Sequence, residues 1–261
     1  IGERLKSLYK IWAFDKDASK VDCLSGVERA DTIKDLVKHV DVIIVAVKPQ
    51  DFTSVLDEIK GEVGEKLIIS IAAGISTGDI EQQVRSARVV RAMPNMPARI
   101  GKAMTCLCKG AFAIDDDVRC AKELFDHVGQ TLVVNEDMMD AVTAISGSGP
   151  GYYYDMIEAN NLNIDDRGVV ERFNECFIKD LSTCATNLAF NVTQAMQLAK
   201  ATTDGSYALL EESHLSPQEL KKQIASKGGT TEAALKVLHN GGSLKEATIA
   251  ARDRARELSR K

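Results

Sequence analysis

Four short segments of the sequence combine residue types that bind anionic or flat heterocyclic ligands. They are Ala46-Val47-Lys48-Pro49, Ala72-Ala73-Gly74, Met93-Pro94-Asn95-Met96-Pro97 and Gly228-Gly229-Thr230-Thr231. The first three each follow a run of apolar, largely β-branched residues and are predicted to lie at strand ends. Because an open α/β sheet binds its ligand outside the carboxyl ends of its strands, we expect these three segments on that edge.

Each strand-end segment offers a different group to a ligand. Lys48 supplies a cation before a proline that turns the chain, and the small Ala72 and Ala73 let a ring or a ribose approach the backbone. Asn95 offers both a donor and an acceptor, which suits a carboxamide. Each has an ordinary alternative: a solvated loop lysine, a tight packing corner, and an amide bonded to its own turn.

The fourth segment precedes a helical pattern that begins near Glu232. Glycines followed by hydroxyl residues at a helix start leave backbone N–H groups unpaired beside donor side chains. Such an arrangement binds a carboxylate or another anion. The alternative is an ordinary threonine N-cap.

The elements around these segments change in kind along the chain. From Tyr9 to about Val134, short apolar runs alternate with helical patterns, as in a mostly parallel sheet covered by helices. The predicted strands are Tyr9–Phe14, Asp41–Val47, Lys66–Ile71, Arg88–Met93, Met104–Cys108 and Thr131–Val134, with helices at Val27–His39, Phe52–Lys60 and Asp116–Val128.

After Asp137 only the helical period continues. The predicted helices are Glu136–Ile145, Tyr152–Asn160, Val169–Phe190, Val192–Ser213, Pro217–Ala225, Thr231–Leu238 and Leu244–Ser259. We therefore predict an α/β domain over residues 1–136 and an all-α domain over 137–261, which suits a chain of 261 residues.

The charge and hydropathy of the sequence indicate which class of ligand the protein binds. The net charge is −5 and the 33 Lys and Arg are scattered, so we expect small-molecule ligands and neither nucleic acid nor a membrane surface. No apolar run approaches the length of a membrane span, which predicts a soluble protein.

The cysteines predict a reducing compartment. The six show no CxxC pair and no signal peptide precedes them, so we expect reduced thiols in the cytoplasm. Cys106 and Cys108 share one face of a predicted strand, but without a second ligand pair we expect no metal site.

In chain order, four motifs closely resemble those of the pyrroline-5-carboxylate reductase family: Ala46–Gln50, Arg91–Pro97, Ala144–Pro150 and Gly228–Thr231. The similarity runs from about Tyr9 to Leu258. It implies a Rossmann-like dinucleotide-binding domain followed by an all-α dimerisation domain. It also implies an oxidoreductase of proline biosynthesis, which reduces 1-pyrroline-5-carboxylate to proline by hydride transfer from NADPH or NADH.

The resemblance also implies roles for individual residues. The expected cofactor contacts are Ala46, Val47, Lys48, Pro49, Ala72, Ala73, Asn95 and Pro97. The expected substrate contacts are Ser146, Gly147, Ser148, Gly149, Pro150, Gly228, Gly229, Thr230 and Thr231. Thr231 is the expected catalytic contact with the substrate nitrogen, and Thr230 is the second choice. A protonated ring imine accepts hydride without a strong protein acid, and none of the four histidines falls in a motif.

Cofactor preference is set where the second strand of such a domain ends. There Asp15 is aimed at the ribose and disfavours a 2′-phosphate, whereas Lys16, Ser19 and Lys20 would hold one. We expect Asp15 and Lys16 to contact the cofactor, with NADH a competent donor. The two lysines are otherwise plain surface charges.

The sequence departs from the family in two places. The first strand and its G-x-G-x-x-G turn are missing, since Ile1–Lys6 already resembles the helix that follows them. We expect an N-terminally incomplete sequence; the alternative is a lost central strand. The second departure is an apparent insertion over Asn160–Asp166, which is predicted to be a loop.

Two other functions remain open. A related two-domain hydroxyacid dehydrogenase would need a positioned Lys or His, which the helical motifs lack. A non-catalytic binding protein that has lost its nucleotide site is the second alternative.

Assembly is predicted from the helix Val192–Ser213, whose apolar residues surround much of its circumference. We expect it to be buried in a homodimer, from which a larger homo-oligomer can be built. The alternative is burial inside a single-chain bundle.

Overall fold

The computed structural model of the chain describes residues 1–85 and 87–259. Within them, seven strands form two sheets: a parallel pair β1-β2, and a five-stranded sheet in the order β3-β4-β5-β6-β7. The strands are β1 (Trp12–Ala13), β2 (Glu28–Arg29), β3 (Val42–Val45), β4 (Leu67–Ser70), β5 (Arg88–Pro94), β6 (Ala103–Lys109) and β7 (Gly129–Val133). All six predicted strands form, with β1 much shorter than expected.

The larger sheet is buried because its strands are apolar on both faces. β3, β4 and β5 are parallel, and their residues alternate between two cores. Ile43 and Ile68 pack in one core and Ile44 and Ile69 in the other. This matches the continuous Val/Ile run of β3, which is typical of a strand covered on both sides.

The α/β half contains six helices within the described residues: α1 (Gly2–Leu5), α2 (Ser19–Asp22), α3 (Ile33–Lys38), α4 (Pro49–Ile59), α5 (Thr77–Gln83) and α6 (Asp115–Asp126). The sequence predicts α4 and α6 and misses α5. A capping box marks the start of α5, where Ser76 Oγ accepts from the Asp79 amide and Asp79 accepts from the Ser76 amide.

The predicted helix Val27–His39 is wrong over nearly its first half. Glu28–Arg29 is a strand that pairs with β1, and α3 begins only at Ile33. The Thr32 hydroxyl accepts from the Asp35 amide and so caps the helix there. An N-cap inside an apparently continuous helical pattern sets the true boundary.

The second half is all helical, as predicted. Its helices are α7 (Met139–Val142), α8 (Gly149–Ala159), α9 (Arg167–Asn187), α10 (Val192–Ser213), α11 (Pro217–Ile224), α12 (Thr230–His239) and α13 (Leu244–Ser259). No helix in the described ranges is long and apolar enough to cross a bilayer. Asn160–Asp166 is a loop between α8 and α9, as expected.

The predicted helix Glu136–Ile145 is broken into three pieces. A 3-10 turn (Glu136–Met138) precedes α7, and a π-helical turn (Thr143–Gly147) follows it. The Ser148 amide donates to the Thr143 carbonyl at 2.8 Å, five residues back. Gly149 and Pro150 then begin α8, so the Gly-Ser-Gly-Pro run joins two helical segments, whereas the predicted helices leave a gap between Ile145 and Tyr152. Such π turns are frequent at functional sites.

Contacts divide the chain into two compact units. The first comprises Ile1–Ala92 and Leu107–Glu136; the second comprises Met93–Cys106 and the chain from Asp137 onward. An α/β half followed by an all-α half is the fold class predicted from the sequence. Residues 260 and 261 of the predicted domain 137–261 lie outside the described residues.

Candidate active site

In the first unit, the carboxyl ends of β3 and β4 lie side by side. The parallel register pairs Val45 with Ser70, and the Ile71 amide donates to the Val45 carbonyl at 3.1 Å. The register therefore brings Ala46–Pro49 and Ala72–Ala73 to one sheet edge, as predicted.

This edge is open to solvent. Ala46, Lys48 and Ala73 are exposed, whereas Ala72 is buried. Pro49 is the first residue of α4 and Lys48 is its N-cap. The free N–H groups and the positive end of the helix dipole lie at this end of α4, which favours a negatively charged ligand.

Asp15 and Lys16 follow β1, and both are exposed and already paired. Asp15 Oδ1 accepts from the Asp17 amide at 2.9 Å and from Lys20 Nζ at 3.4 Å. The Asp17 amide, with Lys20, holds the pKa of Asp15 below its usual value. Lys16 Nζ donates to Asp51 at 2.8 Å, which raises the pKa of Lys16. Asp51 therefore competes with a phosphate for the positive charge of Lys16.

Sequence reasoning missed an ion pair between the buried Arg91, which pairs with Ser70 at the end of β4, and the partly buried Glu136. Arg91 Nη1 donates to Glu136 Oε1 at 2.6 Å, and Glu136 also accepts from the Thr77 amide and the Cys108 thiol. Burial alone raises the pKa of Glu136, but Arg91 and the two other donors outweigh it and hold the pKa below its usual value. The contact joins β5, β6 and the first turn of α5, a pairing that spacing in the sequence does not reveal.

In the second unit, Asn95 is buried and half-satisfied. Its Oδ1 accepts from the Met104 amide at 2.9 Å, so Asn95 does not bond its own turn. Its Nδ2 has no partner among the described residues. A buried amide donor without a partner is costly, and a ligand carbonyl would satisfy it.

Pro97 is held against α10. A Cβ on Gly205 would lie 2.4 Å from the Lys102 carbonyl oxygen and 3.0 Å from Pro97 Cβ. Only glycine permits α10 to come this close to the loop, because any side chain at that position would collide with the backbone of the loop.

The predicted substrate residues of the second unit are brought together at the starts of two helices. Ser148 Oγ, at the start of α8, lies 2.9 Å from Thr230 Oγ1, in the first turn of α12. Ser146 Oγ instead donates to the Met104 carbonyl at 3.4 Å. Gly147, Gly149 and Pro150 supply the backbone between the π turn and α8.

Thr231 is oriented by its methyl group. It is 4% exposed, and a Cβ on Gly151 would lie 2.5 Å from Thr231 Cγ2. The methyl group therefore packs directly on the backbone of α8, and this contact fixes the direction of the hydroxyl.

The loop before α12 is clamped from two sides. The Gly228 amide donates to Glu232 Oε2 at 2.8 Å, and Arg254 Nε donates to the Gly228 carbonyl at 2.7 Å. The bond from Gly228 holds the pKa of Glu232 below its usual value. Sequence reasoning missed this clamp, although a Glu three residues after the N-cap Gly229 is a helix-start signal.

No group of three or more His, Cys, Asp and Glu residues in the described part of the chain is arranged to hold a metal ion. Cys106 and Cys108 are both buried in β6. The candidate residues of the two units offer hydroxyls, backbone N–H groups and one amide, all of which are hydrogen-bonding groups.

Two family models match the chain. Residues 10–74 match the NADP oxidoreductase, coenzyme F420-dependent, and residues 173–261 match the pyrroline-5-carboxylate reductase dimerisation domain. The second match supports a homodimer. Dimerisation was expected from eight apolar residues of α10, of which Val192 and Met196 are exposed. The other six are buried within the chain: Ala195, Leu198, Ala199, Ala208, Leu209 and Leu210.

Curated relatives cover most of the chain. It is 35% identical over 231 residues to a pyrroline-5-carboxylate reductase of Methanosarcina acetivorans, spanning 87% of this chain and 78% of that protein. The enzyme of the same name from Arabidopsis thaliana is 35% identical, over 90% of this chain and 79% of that one.

Solved structures agree with these matches. A Coxiella burnetii pyrroline-5-carboxylate reductase superposes with a TM-score of 0.60 at 31% identity, covering 95% of this chain and 87% of that one. The Plasmodium falciparum pyrroline carboxylate reductase with NADP bound gives 0.59 at 25% identity, covering 99% and 92%. This chain is therefore a member of the pyrroline-5-carboxylate reductase family, whose enzymes are NAD(P)H-dependent oxidoreductases.

Proposed function

We propose that this chain reduces 1-pyrroline-5-carboxylate to proline, with NADPH or NADH as the hydride donor. The observation that carries the proposal is the arrangement around the first turn of α12. There Ser148 and Thr230 share a hydrogen bond, and Thr231 is fixed by its contact with α8.

The first turn of α12 suits an imino acid with one carboxylate. The backbone N–H groups of this turn lie at the positive end of the helix dipole and favour an anion, whereas the Gly228 and Gly229 amides already donate to Glu232 and to the Ser226 carbonyl. We assign the substrate carboxylate to the N–H groups of the turn and the ring nitrogen to the hydroxyl of Thr231, with Thr230 second. Ser146–Pro150 then hold the start of α8 against the same turn.

The cofactor fits the remaining residues. The unpartnered Nδ2 of Asn95 suits the carbonyl oxygen of a nicotinamide carboxamide. Ala46–Pro49, Ala72 and Ala73 suit a ribose and phosphates at the start of α4, and Asp15 and Lys16 suit the second ribose. Pro97 supports the Asn95 loop. Bound NAD(P)H supplies the hydride.

The residues of the chain orient the substrate and hold its proton in place. Thr231 accepts a hydrogen bond from the protonated ring nitrogen and so holds the C=N carbon ready for hydride. When hydride adds to the C=N carbon, which becomes C5 of proline, the π electrons of the C=N bond move to nitrogen and the product is proline. No protein acid is needed, because the nitrogen already carries its proton. Catalysis then rests on orientation within a preorganised cradle.

Three further assignments stay predictions. Residues 1–136 bind the dinucleotide, and residues 137–261 bind substrate and form the dimer. A larger homo-oligomer built from dimers would show, by light scattering, a mass above that of two 28.4 kDa chains. A cytoplasmic location rests on six cysteines that are all unpaired, and cell fractionation tests it.

A matched pair of variants tests the substrate assignment. Thr231→Val keeps the methyl contact with Gly151 and loses the hydroxyl, whereas Thr231→Ser keeps the hydroxyl. We expect Thr231→Val to lower kcat/KM for the imino acid about ten- to a hundredfold, the loss of one hydrogen bond to a charged group. Thr231→Ser should retain most activity, and both should bind NADPH normally. Equal activity of the two variants would refute the assignment.

A further inference from the structure

A buried carboxylate in the second unit joins three helices around the candidate substrate loop. Asp155 lies on α8, is 4% exposed and has two partners on other helices. Lys221 Nζ of α11 donates to its Oδ1 at 2.8 Å, and His239 Nε2, at the end of α12, lies 2.9 Å from the same oxygen. Lys221 also donates to Glu158, one turn further along α8.

These partners bracket the loop that carries the proposed substrate residues. α11 ends at Ile224 and α12 begins at Thr230, so residues 225–229 connect the two helices whose side chains bond to Asp155. Lys221 is in the last turn of α11, and His239 is the last residue of α12. The loop is short, and its conformation therefore depends on how these two helices are held.

α8 thereby grips α12 at both ends. Ser148 meets Thr230 and Gly151 meets Thr231 at the start of α12, and Asp155 meets His239 at its end. Burial lowers the pKa of Lys221, but its bonds to Asp155 and Glu158 outweigh burial and raise the pKa. Lys221 therefore stays charged and keeps α11 tied to α8.

We propose that Asp155 is a positioning residue, which sets the substrate loop 225–229 by anchoring α11 through Lys221 and α12 through His239. The proposal rests on the proposed function for its effect on substrate binding. It concerns neither the cofactor residues nor the reacting atoms. Loosening the anchor should weaken capture of the imino acid and leave binding of the nicotinamide cofactor unchanged.

The exposed contact of Asp155, the one with His239, gives the most selective variant. The His239 side chain is 60% exposed, so His239→Ala removes the contact without opening a cavity. Asn240→Ala, at the adjacent exposed position, is the matched control. Asp155→Asn and Lys221→Met test the buried contact, and their melting temperatures show whether they fold.

Three measurements are needed. Steady-state kinetics give KM and kcat for the imino acid, and fluorescence titration gives the Kd for NADPH. Amide hydrogen exchange of residues 225–231 reports loop order and does not depend on activity. If the wild-type protein does not reduce the imino acid, the proposed function fails. Hydrogen exchange still shows whether Asp155 and its partners position residues 225–229.

We expect His239→Ala to raise the imino-acid KM about three- to tenfold, with kcat changed less than twofold and the NADPH Kd unchanged. Exchange should accelerate in residues 225–231 and not in α9, while Asn240→Ala behaves as wild type. The proposal is overturned if His239→Ala matches Asn240→Ala in both the imino-acid KM and the exchange rate of residues 225–231. It is equally overturned if exchange accelerates throughout the second unit, or if the NADPH Kd rises in step with KM.

Discussion

Ser148 Oγ and Thr230 Oγ1 lie 2.9 Å apart and join the starts of α8 and α12. The two residues are 82 positions apart in the chain, in motifs that the sequence offers separately. Because each hydroxyl can donate or accept, the pair can reorient when a third polar group binds. This contact assembles the candidate substrate site.

The first prediction is that Ser148 and Thr230 act as a pair. Ser148→Ala and Thr230→Ala should each lower kcat/KM for the imino acid, and the double variant should lose less than the sum. The expected coupling is about 0.5 to 1.5 kcal/mol, the net worth of one hydrogen bond. Ser146→Ala is the control, since Ser146 bonds the Met104 carbonyl. Additive effects in the Ser148 cycle would contradict the pairing.

The second prediction concerns Asn95. Asn95→Asp keeps an acceptor for the Met104 amide and removes the free donor, whereas Asn95→Ala removes both. We expect both variants to bind NADPH about tenfold more weakly or worse, the loss of a hydrogen bond of about 1.4 kcal/mol. Only the alanine variant leaves the Met104 amide unpaired. Wild-type NADPH affinity in Asn95→Asp, by fluorescence titration, would show that the donor does not meet the cofactor.

The third prediction concerns the choice between NADPH and NADH. Asp51→Asn frees Lys16, and Asp15→Ser removes a negative charge, so each should shift the kcat/KM ratio toward NADPH. All these groups are exposed, and the shift should be about two- to fivefold and smaller at high salt. An NADPH preference already above tenfold that neither variant alters would place both residues away from the ribose.

The fourth prediction follows from the ion pair between Arg91 and Glu136. The pKa of Glu136 in the folded protein lies below its ordinary value of 4.5. Its contribution to stability is therefore complete above the unfolded pKa and is lost as pH falls through the lower folded value. Glu136→Gln should lower the free energy of unfolding by about 2 kcal/mol at pH 7.

The loss in the free energy of unfolding caused by Glu136→Gln should become progressively smaller as the pH falls below 4.5. Urea titrations of wild type and Glu136→Gln at pH 7, 5, 4 and 3.5 measure this convergence, which should be visible only at the two lowest values. A difference that stays constant over the whole range would mean that Glu136 does not titrate with a lowered pKa.

The sequence predicted the elements whose signals are local. The Val/Ile run of β3 and the apolar periodicity of α10 each fix an element without reference to the rest of the chain, and α10 has the predicted ends. β2 was missed because two polar residues, Glu28 and Arg29, become a strand only by pairing with β1. Such a strand has no pattern of its own.

Candidate site residues that belong to a motif were predictable from the sequence. The residues that position them were not. Ser148 and Thr230 belong to recognisable motifs, and the structure brings them into contact. Asp155 and His239 are an ordinary acid and histidine in helical patterns, and their contact depends on how α8 and α12 pack. Long-range contacts between single polar residues leave no periodic signal in one sequence.

The most direct test of the account is the fate of the hydride. The protein is incubated with 1-pyrroline-5-carboxylate and NADPH that carries deuterium at both C4 positions of the nicotinamide, and the product is analysed by NMR and mass spectrometry. Hydride transfer to the C=N carbon predicts proline with a single deuterium at C5. Failure to form proline, or proline without deuterium at C5, would contradict the assignment of this chain as an imino-acid reductase.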